Sequence, residues 1–247
     1  MRSLTCDCGA VLETADLDTM IPVALAHFTD VHPEFGLREV NVRDYLEAED
    51  RLSPVRPRLD DVGAVEVHPA TSERLDDVLG FFDREGFAGK PEWAACYCVA
   101  HHVGEGGPEW CRDRNRLLLA ERIENGTTTG FLAYADGKVA AWCNASPRSQ
   151  FVHYAGRDDH DDAKVGSIVC FVVAQPYRRH GLAARLLGAA CDSFVERGFD
   201  LAEAYPNKEP LDDNSAYHGP LSMYVEAGFT EVGPLNEHLT VVQKALA

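Results

Sequence analysis

The chain has 247 residues, a size that suits one large domain or one domain with a small companion. Forty acidic against 23 basic side chains give a formal net charge of −17, and 45% of the residues are hydrophobic, the proportion of a globular protein. That balance excludes wholesale disorder and a nucleic-acid binder that works by neutralising phosphates, and no apolar run nears the ~20 residues needed to span a bilayer.

The basic charge comes from 18 Arg and 5 Lys. Guanidinium-dominated, strongly acidic usage fits either a GC-rich coding background or adaptation to high salt, where the self-repulsion of an anion is screened. The opening stretch MRSLTCDCGA lacks the apolar core of a secretory signal, so the expected compartment is cytoplasmic. In that compartment the eight cysteines are free thiols or metal ligands rather than disulfides. Cys143, Cys170 and Cys191 lie in apolar stretches, where a thiol behaves as a small buried hydrophobe.

Taken in chain order, residues 4–14 predict a short hairpin around Cys6, Asp7, Cys8 and Gly9, with Gly9 free to take positive φ. Asp18 or Thr19 is the expected cap of a helix running to about Val31, with Pro22 in its first turn. Asn41, with Asp44 three residues on, opens a second helix with Val42, Tyr45 and Leu46 on its apolar face. Residues 52–63 hold two prolines, a glycine and many charges without periodicity, and read as a linker. The division is therefore a small Cys/His module at 1–51, a linker at 52–63 and a large domain at 64–247.

The large domain starts with a strand at 64–67, then a helix at 72–84 in which Leu75, Val78, Leu79 and Phe82 recur at helical spacing. A loop of glycines and aromatics leads to a helix at 112–124. Strands at 127–134 and 138–144 flank the hairpin turn Ala135, Asp136, Gly137. Polar residues 148–164 read as loop, 165–173 as a buried strand, 181–197 as a helix and 201–205 as a strand. A short helix at 221–227 is ended by Gly228, and 239–246 forms a last strand.

One run carries chemistry. Gln175-Pro176-Tyr177-Arg178-Arg179-His180-Gly181-Leu182-Ala183 takes a buried strand through a basic turn into a helix whose first residues are small. A helix start offers unpaired N–H groups and the positive end of the dipole, and small residues there let an anion reach the backbone. This is a phosphate cradle that matches neither the P-loop nor the dinucleotide fingerprint. Arg178, Gly181 and Ala183 meet the Gln/Arg-x-x-Gly-x-Gly/Ala signature of the GNAT superfamily of acyl-CoA-dependent N-acyltransferases. Downstream, Tyr224, Gly228 and Phe229 meet its Tyr-x-x-x-Gly-Phe landmark, and the chain resembles that superfamily over about residues 64–247.

The resemblance implies an α+β fold of three α/β/α layers, with a mixed, largely antiparallel sheet splayed between the strand ending at Val173 and the strand at 201–205. It implies that Phe171, Val172 and Val173 hold the pantetheine arm of acetyl-CoA, the acyl donor, and that Arg178, Arg179, His180, Gly181, Leu182 and Ala183 hold its pyrophosphate. An N–H of Phe171 or Val172 stabilises the oxyanion. Acyl transfer is direct, without an acyl-enzyme, and Tyr224 protonates the departing thiolate. For the base that activates the amine, Glu203 and His153 are candidates without a motif behind them. Where relatives carry an asparagine before the tyrosine this chain has Tyr217, and Asn207 or Asn214 is left to supply that amide.

Acceptor choice is expected in the first helices and the loop holding Trp93, Cys96, Tyr97, Cys98, His101, His102, Trp110 and Cys111. These residues suit a substrate wall, a packed lid, or metal ligation by Cys96, Cys98, His101 or Cys111, although that spacing is unusual for structural zinc. In the small module Cys6, Cys8, His27 and His32 form C-x-C-x18-H-x4-H, a hairpin with two thiols facing a helix end with two imidazoles, which suits zinc apart from the short C-x-C. The module resembles a small prokaryotic Cys/His domain of unknown function. With 6 Arg, no Lys and 13 acidic groups in residues 1–62, it does not suit DNA.

The expected activity is acetyl transfer from acetyl-CoA to the amine of a small molecule or protein, with neither nucleic acid nor membrane as partner. The alternative is an acyl-CoA-binding or metal or redox sensor that keeps the fold without catalysis. The expected assembly is a homodimer.

Overall fold

The short N-terminal strands are set by alternation around one tight turn. In the computed structural model, which describes residues 1–104, 109–157, 160–209 and 215–246, β1 (Arg2–Thr5) pairs antiparallel with β2 (Val11–Thr14). Gly9 closes the turn at φ +90°. Helix α1 (Leu17–Val31) is capped by Asp16 and not by Asp18 or Thr19. The Asp16 carboxylate accepts from Thr19 N–H at 2.9 Å while the Asp16 N–H donates to Thr19 Oγ1 at 3.3 Å, a reciprocal cap. Pro22 consequently stands in the second turn, where its missing N–H leaves the Asp18 carbonyl without a helical partner. Helix α2 (Glu39–Arg51) starts earlier than Asn41, because the Asn41 side chain reaches back to accept from Arg38 N–H at 3.1 Å. Leu4, Met20, Ile21, Ala24, Val42 and Leu46 form the buried core of these elements.

Residues 52–63 hold neither helix nor strand and run along the larger body. Ser53 N–H donates to the Arg84 carbonyl at 3.0 Å and Leu59 N–H to that of Pro176 at 2.9 Å.

The larger body is a seven-stranded sheet in the order β3-β4-β5-β6-β7-β9-β8. Its strands are β3 (Val65–Pro69), β4 (Gly130–Ala135), β5 (Lys138–Pro147), β6 (Val165–Val173), β7 (Leu201–Ala204), β8 (Thr230–Pro234) and β9 (Thr240–Ala245). Every pair is antiparallel except β6 with β7. Asp136 and Gly137 make the β4–β5 turn with φ of 47° and 75°, as the Asp-Gly pair predicts. The helices are α3 (Leu75–Arg84), α4 (Ala100–Val103), α5 (Arg112–Glu124), α6 (Leu182–Glu196) and α7 (Leu221–Glu226). Strand β8 and the short α4 were not expected from the sequence. The exposed β8 offers little apolar alternation, and α4 is a single turn.

Helix α6 lies across β3 to β6, with Phe194 pressed on Gly166, where a Cβ would come within 2.5 Å of the ring. From the other face α3, packed on α5, meets β5, and the rings of Phe82 and Trp142 lie 5.6 Å apart. Among the described residues no helix is long and apolar enough to cross a membrane.

Candidate active site

The cleft begins where β6 loses a neighbour. Strands β6 and β7 pair only from Val165↔Leu201 to Ile168↔Ala204, yet β6 continues to Val173 with β5 as its one ladder partner. Asn144 of β5 pairs with Cys170 and the next residue, Ala145, with Ile168, so Val169 is an extra residue in β6. Such a bulge bends and twists its strand, and here it coincides with the point of separation. Beyond it, the edge of Cys170 to Val173 that faces away from β5 opens on the cleft.

The chain then turns through a 3-10 segment (Gln175–Tyr177), passes Arg179 at φ 66° and Gly181 at φ 76°, and enters α6. The left-handed backbone, and not crowding, favours glycine at 181, since a Cβ built there meets nothing within 4 Å. No side chain caps α6, so the N–H groups of Leu182, Ala183 and Ala184 and the positive end of the dipole face the cleft. Arg178 Nε donates to the Val173 carbonyl at 3.1 Å and ties the turn to the strand.

The cleft encloses about 620 Å³, within the span of ligand sites. Phe171, Val172, Val173, Arg178, Arg179, Gly181, Leu182 and Ala183 all line it, so the structure brings these expected residues together along one wall. His180 is left out of the lining, and its Nε2 instead meets the Leu59 carbonyl at 2.9 Å.

Tyr224 lies one layer behind the surface. It is fully buried, its hydroxyl donates to the His218 carbonyl at 2.6 Å, and burial pushes the phenol well above its ordinary value. Gly219 lines the cleft directly over it: a Cβ there would stand 3.4 Å from the Tyr224 hydroxyl and 2.7 Å from Met223 Cε, and φ is +79°. The glycine therefore leaves only a thin cover between the hydroxyl and the cleft.

Glu203 is not brought to the cleft. Its pairing with Ser167 puts it on the part of β7 still joined to β6, below the splay. There it is fully buried, with Tyr205 Oη donating to it at 2.6 Å, Gln243 Nε2 at 2.7 Å, and the Arg148 guanidinium 3.5 Å away. Arg148, itself fully buried, also pairs with Asp162 and donates to the His160 carbonyl at 2.7 Å. A carboxylate held this way has three of its roughly four acceptor positions filled. His153 is exposed and likewise outside the lining.

The facing wall comes from the loop before α5: Phe87, Lys90, Trp93, Cys96, Cys98 and His101 line it. Tyr97 and Cys98 both have left-handed backbones, φ 46° and 55°, a conformation that costs non-glycine residues about 1–3 kcal/mol each. Three polar side chains hold it. Buried Asn144 donates to the Cys98 carbonyl at 3.1 Å, Asn115 to the Ala95 carbonyl at 2.8 Å, and the Tyr97 hydroxyl to Asp83. Burial opposes the charge on Asp83, but Tyr97, Arg116 and Arg112 hold its carboxyl below the usual range. The same burial and carboxylate push Tyr97 up to about 12. Burial, then nearby His218, takes His101 down to about 3; burial takes His102 and His218 down to about 4. All three imidazoles are therefore neutral at pH 7. None of these supports has a sequence signature, because each partner is remote in the chain.

Tyr217 joins the lining, its ring 6.0 Å from Trp93. Asn207 instead bridges to the backbones of Pro220 and Leu239, and Asn214 lies outside the described residues. Cys96, Cys98, His101 and Cys111 form no metal-ligating group; among the described residues one such group exists, Cys6, Cys8, His27 and His32, whose donor atoms lie within 4.8 Å of one another.

Residues 93–210 match the family model described as Acetyltransferase (GNAT) family. No curated protein matches the chain. Among solved structures, an N-acetyltransferase from Staphylococcus aureus Mu50 is 13% identical with a TM-score of 0.49, over 75% of this chain and all of that one. The GNAT domain of S. lividans PAT is 16% identical with a TM-score of 0.49, over 74% of this chain and 92% of that one. The PaiA N-acetyltransferase from Thermoplasma acidophilum in complex with coenzyme A is 12% identical with a TM-score of 0.46, over 74% and 99%. The signature residues lie at the head of α6 within residues 93–210, the stretch reaching through β4 to β7 that matches the GNAT acetyltransferase family model.

Proposed function

We propose that the chain is an acyl-CoA-dependent N-acyltransferase that moves an acetyl group from acetyl-CoA to a primary amine by direct attack. The observation that carries this reading is the single wall that joins the unpaired edge of β6 to the uncapped start of α6, with Arg178 and Arg179 beside it. An extended amide-bearing arm fits the first as a missing strand does, and a diphosphate fits the second. The donor substrate supplies an activated thioester.

The remaining tasks fall to the chain. An N–H of Phe171 or Val172 on the open edge polarises the carbonyl that the amine attacks. As nitrogen bonds to that carbon and the carbon–sulfur bond breaks, the nitrogen gives up a proton to solvent water, from which the phenol is later reprotonated, and the sulfur needs a proton. Tyr224, kept protonated by burial, supplies it when its hydroxyl leaves the His218 carbonyl and turns toward the cleft past Gly219. His101, Trp93, Cys96 and Tyr217 form the wall that the amine meets. Glu203 is assigned to the buried network with Arg148 rather than to the amine's proton.

The test is thiol release from acetyl-CoA over a panel of small amines and amine-bearing peptides. Amine-dependent release is expected. Saturable acetyl-CoA binding with no release on any amine would support the binding or sensor reading, which the hydrogen-bonded, buried state of the Tyr224 hydroxyl favours.

A further inference from the structure

Residues 1–51 bury six apolar side chains among themselves, a core too small to order some fifty residues without a further tie. The four donor atoms of Cys6, Cys8, His27 and His32 converge at one end of that core. Cys6 Sγ lies 3.3 Å from His32 Nε2 and Cys8 Sγ lies 3.6 Å from His27 Nε2. A tetrahedron with metal–sulfur bonds of about 2.3 Å and metal–nitrogen bonds of about 2.0 Å has sulfur–nitrogen edges of about 3.5 Å. We propose that these four residues bind one zinc ion, which holds the small module folded and through it braces the amine-facing wall of the cleft.

Local structure supports the ligand roles. Cys6 and Cys8 stand on a turn closed by Cys6 N–H to the Ala10 carbonyl and Gly9 N–H to the Cys6 carbonyl, both 2.8 Å. His27 lies in the last turns of α1 and His32 at its end. The His32 Nδ1 faces Glu34 Oε1 at 3.3 Å, so the proton sits on Nδ1 and the Nε2 lone pair points at the thiols, the outer-shell arrangement of zinc-bound histidine. Two thiolates and two neutral imidazoles around a divalent ion give zero net charge, which suits so acidic a segment. Two sulfurs and two nitrogens in tetrahedral reach also match zinc in softness and shape.

The module meets the wall through α2. Arg38 and Asn41 both donate to the Trp110 carbonyl at 2.9 Å, the Asp44 carboxylate accepts from Arg112 N–H at 2.7 Å, and Arg51 donates to the Asp83 carbonyl at 2.5 Å. Ala48 and Leu52 pack with Ala94 and Phe87, of which Phe87 lines the cleft. The description of this wall as amine-facing rests on the transfer reading above; metal binding and bracing do not.

The test uses the full chain purified without chelator from zinc-supplemented medium. Elemental analysis is expected to find about one zinc per chain, with a loss of about tenfold or more in Cys8→Ser and His27→Ala. Cobalt substitution of the wild type should give the intense visible bands of a tetrahedral, thiolate-bound ion, a readout that does not depend on variants folding. Chelation should shift the fluorescence of Trp93 and Trp110, and zinc should restore it. Wild type without zinc and without a thiolate–cobalt spectrum, or zinc that survives both substitutions, overturns the site. Zinc whose removal leaves tryptophan emission unchanged overturns the bracing. None of these readouts requires turnover, so an inactive protein does not obscure them.

Discussion

The two walls of the cleft are built in opposite ways. One comes from a continuous stretch, residues 170–184 apart from a few positions: strand edge, turn and helix start follow one another, and the backbone itself offers the binding groups. The facing wall comes from residues 86–101 and 216–226, carries two strained residues at Tyr97 and Cys98, and is held by Asp83, Asn115 and Asn144 from three other elements. The first wall is a consequence of local chain geometry; the second is a consequence of packing. The first wall offers mainly backbone groups, which suit the proposed acyl-CoA, while the second offers side chains, through which a proposed acceptor would be chosen.

The largest expected effect divides the walls by function. Tyr224→Phe should lower kcat by roughly 100-fold, the scale of a lost general acid, with the affinity for acetyl-CoA little changed. Steady-state kinetics beside a direct binding titration would show it. Equal loss in both would mean that the tyrosine only shapes the cleft.

Acid should strike the second wall first. His101, His102 and His218 sit in or behind it with folded values near 3 to 4, below the ordinary value of about 6.5. Between pH 6.5 and 4 the unfolded chain binds protons that the folded chain refuses. Stability is therefore independent of these groups above pH 6.5 and falls as pH drops below it, by up to about 1.4 kcal/mol per pH unit for each histidine. Thermal unfolding at stepped pH, with hydrogen exchange to locate the first opening, would check this. A Tm that is flat down to pH 4 would contradict it.

A smaller effect isolates the strain. Asn144→Ala removes the donor to the Cys98 carbonyl and leaves that buried acceptor unpaired, a cost of about 1–3 kcal/mol. Denaturant unfolding should show that loss, and KM for the amine should rise more than KM for acetyl-CoA. A change in the donor's KM alone would mean that Asn144 serves the first wall.

The same contrast explains what the sequence reveals. Strand β6 falls at 165–173 as its apolar, β-branched run predicts, α5 falls at the expected 112–124, and the Asp136-Gly137 turn stands where turn chemistry puts it. The cradle at Arg178 to Ala183 is legible because a strand, a basic turn and a small-residue helix start are consecutive. The bulge at Val169 is not legible, since an inserted residue in an all-apolar strand leaves no mark until its partner is known. Nor are the burial of Glu203 against Arg148, the left-handed pair at Tyr97 and Cys98, or the diversion of His180 to Leu59. Each depends on a residue far away in the chain. Asp16 displaced the expected caps for a simpler reason: several acidic and hydroxyl residues precede α1, and only the folded chain selects one.

The proposed acyl-CoA site joins the open edge of β6 to the start of α6. A calorimetric titration of acetyl-CoA into the wild type and into Gly181→Ala tests it most directly. Gly181 has φ 76° and open space around a built Cβ, so alanine costs the fold about 1–2 kcal/mol of left-handed strain while placing a methyl in the cradle. Saturable one-to-one binding in the micromolar to millimolar range is expected for the wild type, and binding about tenfold weaker in the folded variant. No binding to the wild type, or equal affinity in the two proteins, would contradict it.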